Sequence, residues 1–250
     1  AETRRDIANP RAYLIRITVN ESLRRLGRAH RRHESYVGPW LPEPLVTDSE
    51  PDATDPIVRA DEVSMAMLVV LETLAPLERA VFILRETFGY EHAEIAAIIG
   101  RSPAAVRQLA HRAREHVRER RPRFDAQPEV RRAVTEKFLS AALGGDLEAL
   151  LEVLAPDVTL WTDGGGVAPA ARRVITGSDK VGRLLNGFVT TGRIPDVEFR
   201  QVEVNGDPGI LLRNGDGTPY GIIVVELTPE GDRVRDIYGI VNPDKLRGVR

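Results

Sequence analysis

Residues 90–123 read YEHAEIAAIIGRSPAAVRQLAHRAREHVRERRPR, and the punctuation of this stretch is that of a helix-turn-helix. A short helix carrying Ile95, Ala96, Ile98 and Ile99 stops at Gly100, a residue free to take the left-handed conformation that closes a tight turn. Ser102 is placed to cap a second helix, and Pro103 suits its first position, where a missing N–H costs nothing. Along that helix Val106, Leu109, Ala110, Ala113 and Val117 recur as one apolar stripe, while Arg107, Gln108, His111, Arg112 and Arg114 fall on the other faces. The competing reading is an ordinary amphipathic helix with a solvated, charged side.

The charge layout favours a polyanion. The chain has 250 residues, 42% hydrophobic and 29% charged, with a net charge of -2, enough for two small domains. Residues 100–123 carry eight arginines against Glu115 and Glu119, and residues 1–36 carry nine against four acids. Residues 43–94 between them hold twelve acids against Arg59, Arg79 and Arg85. Two basic blocks around an acidic middle suit two separate contacts with nucleic acid. The absence of cysteine excludes disulfides and thiolate chemistry, and a reducing cytoplasm is the expected location. No apolar run approaches a membrane span, so no membrane partner is expected.

Working outward toward the N-terminus, Asn9 and Pro10 open a long helix with Ala12, Ile15, Val19, Leu23 and Leu26 on one face and Arg24, Arg25, Arg28, Arg31 and Arg32 crowded into its second half. One such helix cannot bury its apolar face alone, and the expectation is that partner helices precede Ala1. The segment 36–55, YVGPWLPEPLVTDSEPDATD, holds Pro39, Pro42, Pro44 and Pro51, which exclude a helix and disfavour a central strand. Tyr36, Trp40, Leu41 and Leu45 give this extended linker apolar side chains that a flexible tether does not need, so its first half is expected to dock on a folded surface. From Ile57 the helical pattern resumes through Val63, Met67, Leu71 and Leu74, and Pro76 starts another helix with Leu77, Ala80, Val81 and Leu84 inward. Residues 57–121 then form a four-helix unit. In the second helix of the motif, Arg107 can reach guanine, Gln108 adenine, and Ala104 and Ala105 a thymine methyl, with Arg101, Arg112 and Arg114 better placed for phosphates.

The basic helix AYLIRITVNESLRRLGRAHRR, the linker YVGPWLPEPLV and the unit APLERAVFILRETFGYEHAEIAAIIGRSPAAVRQLAHRAREHV occur in an order that resembles an extracytoplasmic-function (ECF) RNA polymerase sigma factor. The WLPEP stretch is similar to that of the SigJ-like group, whose members carry a SnoaL-like domain after the sigma core. The resemblance implies promoter DNA and core RNA polymerase as partners. It implies minus-10 recognition by the first helix, through Asn20, Arg24, Arg25, Arg28, Arg31 and Arg32. It also implies minus-35 recognition by the terminal helix-turn-helix, through Arg101, Ser102, Ala104, Ala105, Arg107, Gln108, His111, Arg112 and Arg114. The expected segments are 1–35, the last helix of an incomplete region 2; 36–56, the proline-rich acidic linker; 57–123, region 4; and 128–250, the SnoaL-like domain.

The last segment also has its own pattern. Helix 129–143 carries Val130, Val134, Phe138 and Ala141; after Gly144 and Gly145 a short helix runs through Leu147, Leu150, Leu151 and Leu154 until Pro156. Strand-like sequence at 158–162 and 174–176, a helix from Ser178 to Phe188, and strands near 197–204, 209–213, 220–227 and 233–241 follow, the later ones separated by Asn205-Gly206, Asn214-Gly215 and Glu230-Gly231 turns. The expected fold class is therefore multi-domain: all-α sigma regions with a helix-turn-helix of winged-helix-like type, then an α+β NTF2-like, SnoaL-like cone.

Such a cone can enclose a cavity, and Asp163, Asp236 and Tyr238 are the polar groups an enzyme there would use. No His, metal-ligand cluster or nucleophile–base pattern accompanies them, so no catalysis, metal or cofactor is expected. Asp163, Gly164, Gly165 and Gly166 resemble the DGGGK motif of the SigJ-like group, with Val167 in place of its lysine, and Asn242, Pro243, Asp244, Lys245 and Leu246 match its NPDKL motif. The resemblance implies that this domain contacts the sigma core and adjusts its activity in cis. Trp40, Leu41 and Pro42 are expected to dock near Asp163 and the 242–246 segment. The alternative is a DNA-binding module fused to an isomerase or cyclase, or to a sensor whose C-terminal pocket takes a small hydrophobic ligand.

Overall fold

The computed structural model describes residues 10–33, 36–47, 63–120, 127–191 and 197–249. The helical pattern expected from Ile57, Pro51 of the linker and the basic end at 121–123 lie outside the described residues. Two compact units emerge: residues 1–35 with 70–121, and residues 36–69 with 122–250. The chain thus passes from the first unit to the second at Tyr36, returns after Val69, and enters the second again at Pro122. No described helix is long and apolar enough to cross a membrane.

The first unit is all-helical among its described residues. It comprises α1 (Pro10–His33), the end of α2 (Met65–Thr73), α3 (Pro76–Phe82) running on as a π-helical turn (Ile83–Thr87), α4 (His92–Ile99) and α5 (Pro103–Arg120). Val81, Leu84, Ile95, Ile98, Val106 and Ala110 form its core, with Ile15 and Val19 of α1 packed against it. The start of α2 differs from the periodicity. Ser64 accepts a hydrogen bond from Met67 N at 3.1 Å and caps the helix, which leaves Val63 outside it and exposed. Met65, Ala66 and Val69 at this end are buried in the core of the second unit with Leu41.

That second unit is a seven-stranded sheet in the order β1-β4-β5-β6-β7-β2-β3. Its strands are β1 (Val46–Thr47), β2 (Leu154–Asp163), β3 (Ile175–Thr176), β4 (Val197–Val204), β5 (Asp207–Asn214), β6 (Pro219–Leu227) and β7 (Val234–Ile240). Helices α6 (Pro128–Gly144), α7 (Leu147–Val153) and α8 (Ser178–Thr190) supply one core, where Phe138, Leu150, Val153 and Val181 meet Val158, Leu160, Val225 and Ile237. Leu41, Met65, Val69, Leu246 and Val249 form another with Leu211, Ile222, Val224, Tyr238 and Ile240. Strand alternation sends neighbouring residues of β6 and β7 into these two different cores.

Leu154 and Pro156, read from sequence as the end of a helix, belong to β2, whose pairing with β7 shifts register between Leu154 and Thr159. A proline is tolerated at such an irregularity because the ladder lacks its N–H there anyway. The linker contributes a strand of two residues at the sheet edge, Val46 opposite Val204 and Thr47 opposite Glu203, a place open to a proline-rich segment.

Candidate functional site

The helix-turn-helix is fixed by local chemistry. Glu91 and Glu94 form a capping box at the start of α4, with Glu94 accepting from Glu91 N at 2.8 Å. Gly100 closes it at φ 67° and ψ 43°, in the left-handed region. Ser102 Oγ accepts from Ala105 N at 3.2 Å, and Pro103 is the first residue of α5. Arg85 braces the preceding turn by donating to Tyr90 O at 2.9 Å and pairing with Glu91 at 3.0 Å.

On α5, Val106, Ala110, Ala113 and Val117 are buried. Arg101, Ser102, Ala104, Arg107, Gln108, His111, Arg112 and Arg114 are exposed, and Ala105 is half-buried. The polar members divide into two sets. Arg112 pairs with Glu78 of α3 at 2.9 Å, and Arg114 with Glu86 of the π-helical turn at 2.8 Å. Arg101, Arg107, Gln108 and His111 have no partner among the described residues. On α1, Asn20 is exposed, while Glu21 is shared by Arg24 at 2.8 Å and Arg25 at 3.3 Å, and its carboxyl is held below the usual range, mainly by the Arg24 hydrogen bond. Arg28, Arg31 and Arg32 lie on the same helix, their side chains outside the described set.

A second site lies in the other unit, at the end of β2. Asp163 is 0% exposed. Its Oδ1 accepts from the Tyr36 hydroxyl, from Gly165 N at 3.0 Å and from Asn242 Nδ2 at 3.5 Å. Its Oδ2 accepts from Leu41 N at 2.9 Å and from Lys245 Nζ at 2.6 Å. Lys245 Nζ donates also to Leu41 O and stands 4.0 Å from the centroid of Trp40 and 5.6 Å from that of Tyr36, so its charge meets both a carboxylate and two aromatic faces.

The segments meeting here are far apart in sequence, and each is shaped to reach. Asn242 Oδ1 accepts from Asp244 N at 3.0 Å, capping the short helix α9 (Pro243–Leu246), while its Nδ2 donates to Tyr36 Oη at 2.8 Å. Pro243 and Asp244 are exposed, and Leu246 is buried beside Leu41. Pro42 is buried too. Gly164 and Gly165 permit the approach: a Cβ on Gly164 would lie 2.3 Å from Ala168 O, and one on Gly165, at φ +63°, 2.6 Å from the Asn242 side chain. Gly166 is exposed at the loop tip. Burial, then the hydrogen bond to Asp163, pushes the Tyr36 hydroxyl well above its ordinary pKa, so it stays a neutral donor.

Asp236 and Tyr238 do not converge on Asp163. In register, Asp163 faces Ile240, whereas Asp236 faces Thr159, whose hydroxyl donates to it. Among the described residues no cluster of three or more metal-ligating side chains occurs. Tyr36, an apolar anchor by its place in the linker sequence, donates to a carboxylate 127 residues away, a contact without local signal. Glu78 and Glu86 likewise lie too far from α5 in sequence to give a periodic signal.

Residues 64–117 match the model of sigma-70 region 4. Over 251 residues the chain is 37% identical to the ECF RNA polymerase sigma factor SigJ of Mycobacterium tuberculosis, covering 97% of this chain and 80% of that protein. The chain belongs to the ECF RNA polymerase sigma factors. The crystal structure of M. tuberculosis SigJ superposes on 97% of it and 84% of the solved chain, with a TM-score of 0.75 at 35% identity. SigI of the same species is 37% identical over 247 residues, covering 98% of this chain and 81% of that one. This sigma factor therefore acts in transcription initiation, with core RNA polymerase and promoter DNA as partners. Its helical sigma region is followed by a mixed-sheet domain.

Proposed function

We propose that the SnoaL-like domain adjusts initiation in cis by gripping the connection between the two DNA-reading elements. The observation carrying this reading is the Asp163 cluster, in which one buried carboxylate accepts from Tyr36 and Leu41 of the linker and from Lys245 near the C-terminus. The far end of the connection is held as well, since Met65, Ala66 and Val69 share a core with Leu41, Leu246 and Val249. Both ends of the segment joining α1 to the helix-turn-helix are thus fastened to one domain, and the span available between them follows from that domain. A covalent tether makes even a modest interface effective, because the partner is present at high local concentration.

In the first unit, Arg107, Gln108 and His111 are the base-reading candidates and Arg101 a phosphate contact, while Arg112 and Arg114 give up Glu78 and Glu86 to reach phosphate. Asn20 and the arginines of α1 serve the minus-10 element.

Run-off transcription with core RNA polymerase and a cognate promoter tests the regulatory part. Lys245→Ala in the otherwise intact factor is expected to change promoter-dependent output at least about threefold, a shift of under 1 kcal/mol in an activating equilibrium. Unchanged output with a folded variant refutes regulation through this contact.

A further inference from the structure

On the sheet face that carries Leu41, the register of β5, β6, β7 and β2 arranges side chains in rows. Leu211, Ile222, Ile240 and Asp163 make one, and Gly209, Val224, Tyr238 and Trp161 the next. In the third row Glu226 faces Asp236 and Asp236 faces Thr159, while continuing the β5–β6 register by two residues brings Asp207 opposite Glu226. Three carboxylates in register are unfavourable neighbours, and two of them are also removed from water, Glu226 at 4% and Asp207 at 7% exposed, with Asp236 half-buried.

Among the described residues, the cations around the row are Arg131 of α6 and Arg235 of β7. Arg131 pairs with Asp207, and Arg235 with Asp236 at 2.8 Å. Glu226, the middle acid, has no ion pair among the described residues. Among the described residues two arginines thus face three acids, and these charges balance when the central acid holds a proton. A protonated Glu226 also supplies an O–H able to donate to a flanking carboxylate, beside the Thr159 hydroxyl that already donates to Asp236.

We propose that the Asp207–Glu226–Asp236 row is a proton-linked brace of the SnoaL-like domain, intact with Glu226 neutral and weakened when Glu226 ionises. Burial first, and the charge of Asp207 second, push the Glu226 carboxyl up to about 7, against the pull of Arg131 and Arg235. Tyr238, in the neighbouring row, is raised by burial and then by Asp236 and Glu226, so it remains neutral throughout. An unfolded glutamate ionises near 4.5. The folded domain therefore binds one proton more than the unfolded chain between that value and about 7, and its stability falls as pH rises through this window. Arg131 lies in the first turn of α6, so the charge state of the row bears on how the start of the domain's first helix is held.

The test is a carbon-13 NMR titration of the glutamate side-chain carboxyls in the full chain, with Glu226 assigned through bonds to its backbone. Melting curves of the wild type and Glu226→Gln across about pH 5 to about pH 8 accompany it. The expected result is a Glu226 midpoint near neutrality, and a pH dependence of melting in E226Q reduced to about half or less. A midpoint in the ordinary glutamate range overturns the proposal, as does an equal pH dependence in a folded E226Q. If E226Q does not fold, the wild-type titration alone decides.

Discussion

Replacing Asp163 by asparagine keeps the shape of the side chain but removes the charge on which five donors converge. One face of the new amide presents N–H groups, either to Leu41 N and Lys245 Nζ or to Tyr36 Oη and Gly165 N, so a donor meets donors whichever way the amide is turned. Lys245, with 11% of its side chain exposed, keeps Leu41 O and Trp40 beside it but loses the carboxylate it pairs with. Removing one partner of a buried pair typically costs about 3–5 kcal/mol. Part of this is recovered, because the ammonium keeps its aromatic contacts, worth roughly 1–2 kcal/mol when desolvated. About 3 kcal/mol is the expected net loss, a shift of about a hundredfold in the equilibrium between docked and released linker. In a domain of this size it lowers the melting temperature by roughly 6–12 °C. Differential scanning calorimetry measures the drop, and limited proteolysis within 36–47 reports release of the linker. Adding Lys245→Met to Asp163→Asn removes the stranded charge, so the double variant is expected to recover at least about 1 kcal/mol relative to the sum of the single losses. Strict additivity, or an Asp163→Asn protein that melts within about 2 °C of the wild type, refutes the claim that this carboxylate holds the linker.

Three further outcomes follow from the same geometry. Gly165→Ala places a Cβ 2.6 Å from Asn242 at a positive φ, and is expected to cost about 1–3 kcal/mol in chemical denaturation, whereas Gly215→Ala, with open space around it, costs less. Arg107→Ala is expected to reduce discrimination among promoter variants by about 1–3 kcal/mol at one base pair in competition binding; a loss equal for every sequence would assign Arg107 to phosphate instead. Ser102→Ala removes the cap on α5 and is expected to lower the stability of the first unit by about 1 kcal/mol in thermal melts.

The local structure of the first unit was legible because its signals are short-range. Gly100, Ser102 and Pro103 each act on backbone within four residues, and the stripe from Val106 to Val117 needs only helical spacing. The strands from β4 to β7 were similarly marked by Asn-Gly and Glu-Gly turns. At Leu154 the apolar spacing of α7 runs into β2 without a polar break, so periodicity could not separate helix from strand. Asp163 and the 242–246 segment were picked out by resemblance, and the linker's apolar residues predicted docking; the donor set was not legible, because Tyr36, Leu41 and Lys245 reach the carboxylate from 127, 122 and 82 residues away. Glu226 left only a faint trace, an acid at the alternate position of a strand whose neighbours on that face, Ile222 and Val224, are apolar.

The central claim concerns span, and the measurement that addresses it most directly is abortive initiation by core RNA polymerase on promoters whose spacer between the minus-35 and minus-10 elements is varied one base pair at a time. With the wild-type factor the account predicts one sharp optimum, and with Asp163→Asn a wider range of productive spacers at lower peak activity, since the connection is no longer fixed at Tyr36 and Leu41. The same optimum and the same width for a folded Asp163→Asn factor would contradict it.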